Sequence, residues 1–127
     1  MCMSGWDVGD IIAISQLALK VHSAYKDAPK SYRHISEEVM SLQIIISEAV
    51  KHFETTNLSG NDRQEGEVVL ESCRSVLVDL NSLIEEYKSS PSVGTEDIAT
   101  LRGRLISNTR LLNGVIQRYI FRQPLSY

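Results

Sequence analysis

From Tyr32 to Phe53 the residues Tyr32, Ile35, Val39, Leu42, Ile46, Ala49 and Phe53 recur at alternating steps of three and four without a gap. That rhythm is close to the 3.6-residue turn of an α-helix and draws one apolar line down one side of it. A strand cannot use such a line, because its side chains change faces at every residue. The pattern returns in Ile11, Ile14, Ala18, Val21 and Tyr25. It returns again in Val69, Cys73, Val76, Leu80, Leu83 and Tyr87, and in Ile98, Leu101, Leu105, Leu112, Val115 and Tyr119. Asn108 holds one seam position in the last set.

Four amphipathic helices joined by short breaks bury their stripes best as an antiparallel bundle, so the sequence predicts an all-α four-helix domain over residues 1–127. Helices are expected at about 8–26, 30–56, 62–89 and 95–120, separated by Pro29, NLSGND and SSPSVG. Asp7 suits an N-cap, with Asp10 three residues on in the manner of a capping box. Pro29 suits a first helical turn, where its missing N–H costs nothing. Asn61 or Asp62 can cap the third helix and Thr95 the fourth, with Glu96 and Asp97 favoured by the helix dipole. The β-branched run IIIS at 44–47 competes for strand, but its flanks keep the helical period.

A chain of 127 residues with 43% hydrophobic and 23% charged residues can bury a core without staples. Its net charge of -3 exerts no general pull on nucleic acid or anionic lipid. The charge is uneven: residues 1–95 hold 8 Lys/Arg against 14 Asp/Glu, and residues 96–127 hold 5 Arg against Glu96 and Asp97. Cys2 and Cys73 make no disulfide framework, which favours a reducing, cytoplasmic setting.

SGWDVGDIIAISQLALKV, residues 4–21, is the stretch on which function turns. It is no signal peptide, since MCMSGWD has no Lys or Arg and carries an Asp. It is no conventional span either, because Asp10, Gln16, Lys20 and His22 interrupt it. MCMSG lacks the Gly after the initiator Met that myristoylation needs. Its apolar arc is nevertheless wide. With Ile11, Ile14, Ala18 and Val21 at the core, Ile12 and Leu19 point well away and Leu17 widens the other flank. The expectation is a central helix packed on several sides, with Ile12 and Leu19 buried. The competing expectation is a working surface for a protein partner, a second copy or a membrane, built from Trp6, Ile12 and Leu19.

Chemistry is sparse. His22, His34 and His52 have no metal-ligand spacing, and Cys73 on its seam suits a small buried hydrophobe. Glu37-Glu38, Glu85-Glu86 and Glu96-Asp97 are adjacent pairs that point about 100° apart on a helix and cannot share a proton or metal. The glycines form no phosphate loop. Arg102, Arg104, Arg110, Arg118 and Arg122 spread around the polar arc of the fourth helix, as solvating charges would, without a nucleic-acid motif. Asn108 is expected to face inward and set helix register. No catalytic set, cofactor, metal, nucleic acid or small-molecule substrate is expected.

SGWDVGDIIAISQLALKVHSAYKDAP and GTEDIATLRGRLISNTRLLNGVI resemble the N-terminal domain of fungal NLR-type proteins, the HeLo-like group found before NACHT or ankyrin-repeat regions. SYRHISEEVMSLQIIISEAV and CRSVLVDLNSLIEEYKS fit more loosely, and the likeness covers about residues 4–118. The matching residues are Gly5, Gly9, Asp10 and Ile11, then Leu105, Ile106, Ser107, Asn108 and Asn113. The resemblance implies a non-enzymatic helical signalling module that acts by protein association. Its alternative is membrane-directed programmed cell death of the heterokaryon incompatibility type, using the first helix. The chain departs from the pattern at SSPSV, where relatives carry a longer basic segment, and at Asp7, where relatives often have Ser. It also ends at FRQPLSY without a linker to a nucleotide-binding domain, as a standalone effector, a decoy of full-length relatives or a gene remnant would.

Overall fold

The computed structural model describes residues 8–55, 60–89 and 95–122. They form four helices: α1 (Val8–Lys26), α2 (Lys30–Thr55), α3 (Gly60–Ser89) and α4 (Thr95–Arg122). The IIIS run is helical, with Ile46 fully buried and Ile44 turned outward. Three boundaries differ from the expected ones. α2 ends at Thr55, α4 continues to Arg122, and α3 begins at Gly60, which puts Asn61 and Asp62 inside its first turn. Differences of one or two residues are usual at helix ends. Pro29 stands just ahead of α2, and its carbonyl accepts the Tyr32 N–H at 2.8 Å.

Each helix packs on two others. α1 lies against α2 and α3, and α4 lies against α2 and α3. The cyclic order is therefore α1, α2, α4, α3, and α2 is diagonal to the helix that follows it. Side-chain bonds give the directions. His22 meets Ser36 and Ser15 meets Gln43, so α1 and α2 are antiparallel. Arg104 meets Asp79 and Arg118 meets Glu65, so α3 and α4 are antiparallel too. Arg102 meets Glu38 near the starts of α4 and α2, and Tyr25 meets Leu80 in the later halves of α1 and α3, so these neighbours run parallel.

The seams close on one core. Val39, Leu42, Ile46, Val76, Leu80, Leu101, Leu105 and Leu112 are all buried in it. Phe53 and Tyr119 belong to α2 and α4, but their side chains lie outside the described residues. At one end Tyr25 and Tyr32 meet edge-on with centroids 6.3 Å apart, and Tyr32 meets Tyr87 at 5.1 Å. Such edge-to-face pairs align the positive ring rim with the negative face.

The expectation that α1 is the surrounded helix is not met. Ile12 is 40% and Leu19 43% exposed. The physical reason is that all four helices stand at corners of a ring, so no third helix covers the outer flank of α1. The broad buried arc belongs to α3 instead. Beside its seam it buries Leu70, Leu77 and Ile84, a second line at seven-residue spacing. α3 packs on both α4 and α1.

Gly103 and Gly114 sit within α4, and a Cβ added at either would meet nothing within 4 Å. Glycine there only adds freedom to the unfolded chain. Gly103→Ala and Gly114→Ala should each raise stability by about 0.5–1 kcal/mol in urea denaturation. A loss of stability at either site would reveal a contact on the outer face of α4.

Candidate association surface

On α1, residues 12, 15, 19 and 22 follow one another at steps of three, four and three, so they form a single strip. Ser15 accepts a bond from Gln43 Nε2 at 3.1 Å, and the same amide donates to Ser47 at 3.0 Å. His22, with its proton on Nδ1, donates to the Ser36 carbonyl at 2.9 Å. Ser36 Oγ donates to the His22 carbonyl at 3.3 Å. The polar members of the strip thus tie α1 to α2. Its apolar members, Ile12 and Leu19, are on the same side but farther out, where they stay exposed among the described residues.

The facing strip on α2 is Ser36, Met40, Gln43 and Ser47. Ile44 lies one step outside it, adjacent by helical spacing to Met40 and Ser47, and is 56% exposed. Ile12, Leu19, half-buried Met40 and Ile44 therefore project from one face of the α1–α2 pair. Sequence reading singled out the first two. Ile44 was hidden in the IIIS run, whose helical phase alone shows which isoleucine turns outward. Trp6, the third residue expected here, lies outside the described residues.

Asn108 is buried and faces inward, as expected. Its Oδ1 accepts from Ser72 Oγ at 2.9 Å, and its Nδ2 donates to the Ser72 carbonyl at 3.3 Å. These two hydrogen bonds join α4 to α3 at one level. Two ion pairs frame it: Asp79 with Arg104 at 2.8 Å, and Glu65 with Arg118. Glu65, Ser72 and Asp79 are spaced by sevens on α3, as are Arg104, Leu111 and Arg118 on α4. Arg102 reaches Glu38 on α2. Three of the arginines expected to be solvating charges are thus ties between helices. Being exposed, each contributes only about 0–1 kcal/mol. Asn108→Leu removes both bonds, but exposed Ser72 can turn to water. Stability should stay within about 1 kcal/mol, while register loosens, visible as broadened amide resonances along α3 and α4. A cost above about 3 kcal/mol would mean that the amide holds the fold itself.

Cys73 is buried, and its Sγ lies 4.0 Å from the Asn108 carbonyl as a weak donor. Burial pushes its thiol up to about 12, so it stays protonated near neutrality and makes a poor nucleophile. Among the described residues no group of three or more His, Cys, Asp or Glu is placed to hold a metal ion. His34 is exposed, and the His52 side chain is outside the described set. A shallow groove of about 260 Å³ lies between α3 and α4, lined by Asp79, Ser82, Leu83, Glu86, Thr100 and Leu101. It falls below the usual size of a small-molecule site. Among the described residues no helix is long and apolar enough to cross a membrane.

No family model, curated protein or solved structure matches the chain.

Proposed function

We propose that this protein is a non-enzymatic helical association module whose α1–α2 face docks onto another protein surface. The observation that carries the reading is the exposure of Ile12, Leu19 and Ile44 on two helices packed side by side. Isolated exposed apolar residues are ordinary, but a cluster on one face, rimmed by polar groups, marks a contact surface. Gln16, Ser23, Ser41 and Lys20 supply that rim. The resemblance to the N-terminal signalling domain of fungal NLR-type proteins supports the same class of action. A membrane contact is the rival use of the face. It would be interfacial, because Asp10 and Lys20 are each costly at bilayer depth.

Ile12→Asp combined with Leu19→Asp tests the reading. Both side chains are outside the core, so the helical circular dichroism and the cooperative unfolding transition should persist. Self-association in sedimentation should be lost, with binding to anionic vesicles unchanged. Loss of vesicle binding alone would favour the membrane use. Loss of folding, or no change in either assay, would overturn the reading.

A further inference from the structure

We infer that the α1–α2 face pairs with the same face of a second copy, about a two-fold axis that passes beside Ile44. The inference rests on the association reading above and adds the partner and its register. The key is a second seven-residue line on α2. Glu37, Ile44 and Lys51 follow one another at heptad spacing, and all three are exposed. When two copies of such a line meet antiparallel about Ile44, Ile44 opposes itself. Glu37 of each copy then opposes Lys51 of the other, twice by symmetry. The line is therefore complementary to itself in charge and in apolarity.

Other registers fail on the same residues. Shifting the axis so that Arg33 opposes Glu48 places Ile44 against Glu37, an apolar side chain on a carboxylate. Centring on Leu42 places Arg33 against Lys51, two like charges. Of these three axes, the one near Ile44 alone sets Ile44 against an apolar group and pairs opposite charges along the 37, 44, 51 line.

α1 gives an independent check. A two-fold axis normal to the plane of the paired α2 helices brings the two α1 helices together, also antiparallel. Ile12 opposes Leu19 of the other copy when the axis crosses between Ser15 and Gln16. The ties Ser15–Gln43 and His22–Ser36 set the relative level of the two helices. They put that crossing point beside residues 42–43 of α2. This is about one and a half residues from Ile44, or roughly 2 Å along the helix at 1.5 Å per residue. The α1 ties therefore limit the axis to the stretch from Leu42 to Ile44, and within it the charges at Arg33, Glu37 and Lys51 select Ile44. Lys51 also lies 3.6 Å from Glu48 within its own helix, an exposed pair whose geometry can adjust on docking.

The footprint sets the strength. α1 is 19 residues long, and two neighbouring helices present a face of roughly 28 Å by 20 Å. That is about 600 Å² per copy, below the standard interface of about 800 Å² per partner. The pairing is accordingly weak, concentration-dependent and sensitive to salt.

Sedimentation of the full chain across a concentration series tests it. Glu37→Lys and Lys51→Glu, each alone, set like charges against each other in a self-pair and should weaken it by roughly tenfold or more. Mixing the two variants should restore association, since each then presents the charges that the other lacks. The chain carrying both changes should recover as well. Circular dichroism of each variant confirms folding, as both sites are exposed. A wild type that stays monomeric at every concentration overturns the pairing, as does indifference to the charge reversals. If self-association is lost with Ile12→Asp and Leu19→Asp but ignores the reversals, the association reading stands and this register falls. If both sets leave self-association intact, both fall.

Discussion

Leu80→Ala should lower stability by about 2–5 kcal/mol, the range for truncating a packed leucine. Leu80 has no exposed surface and sits where α3 carries both of its buried lines. Its neighbours belong to helices on two sides, which cannot all move inward to fill the space, and an unfilled cavity sets the upper part of that range. The same residue's carbonyl accepts the Tyr25 hydroxyl at 2.7 Å, so collapse there would also disturb a buried bond. Val78, two positions away and 41% exposed, is the internal control. Val78→Ala should change stability by no more than about 0.5 kcal/mol. The measurement is the urea midpoint at constant denaturant slope. A cost below about 0.5 kcal/mol for Leu80→Ala would remove α3 from the centre of the core.

The seams were readable because burial on one side of a helix leaves a periodic mark that any single sequence carries. Asn108 was readable for the converse reason, as a polar residue standing in an apolar line. Leu70, Leu77 and Ile84 were less legible, because a second buried line beside a seam shows itself only in the packed bundle. The number of neighbours is a property of packing order, and packing order leaves little trace in local spacing. The same gap explains the misjudged α1, whose wide apolar arc could signal either many neighbours or an uncovered face. The ties were harder still. Ser36 and Ser72 are common helix-surface residues, and a hydroxyl in a helix can bond its own backbone, as Ser41 does with the Glu37 carbonyl. Which serine instead reaches across to His22 or Asn108 depends on the level of one helix against the next.

Tyr25→Ala should cost about 3–5 kcal/mol, the range for truncating a buried aromatic side chain. Tyr25→Phe should cost about 1 kcal/mol, because it removes one hydroxyl bond while the ring stays. Burial holds the Tyr25 hydroxyl well above the ordinary tyrosine range, with Tyr32 beside it adding to the effect, so the hydroxyl remains a donor throughout the neutral range. The contrast between the two variants matters for function through the position of Tyr25. The side-chain hydrogen bonds of Ser15 and His22 go from α1 to α2, whereas that of Tyr25 goes to α3. Release of α1 would expose Ile11, Ile14 and Val21 at about 1.5–3 kcal/mol each. Those burials keep the released form rare in the intact protein. Removing the Tyr25 ring should raise its population by roughly two to three factors of ten, at about 1.4 kcal/mol per factor. Hydrogen exchange then separates two behaviours. If α1 can open by itself, exchange in residues 8–26 should rise well above that in α3 and α4. That is the expected result, because release of α1 breaks its contacts with α2 and α3 while the α2–α4 and α3–α4 contacts survive. An equal rise in all four helices would mean that α1 separates only when the whole bundle unfolds. The α1–α2 face would then work as a rigid surface, and no mechanism that needs α1 to leave the bundle could operate.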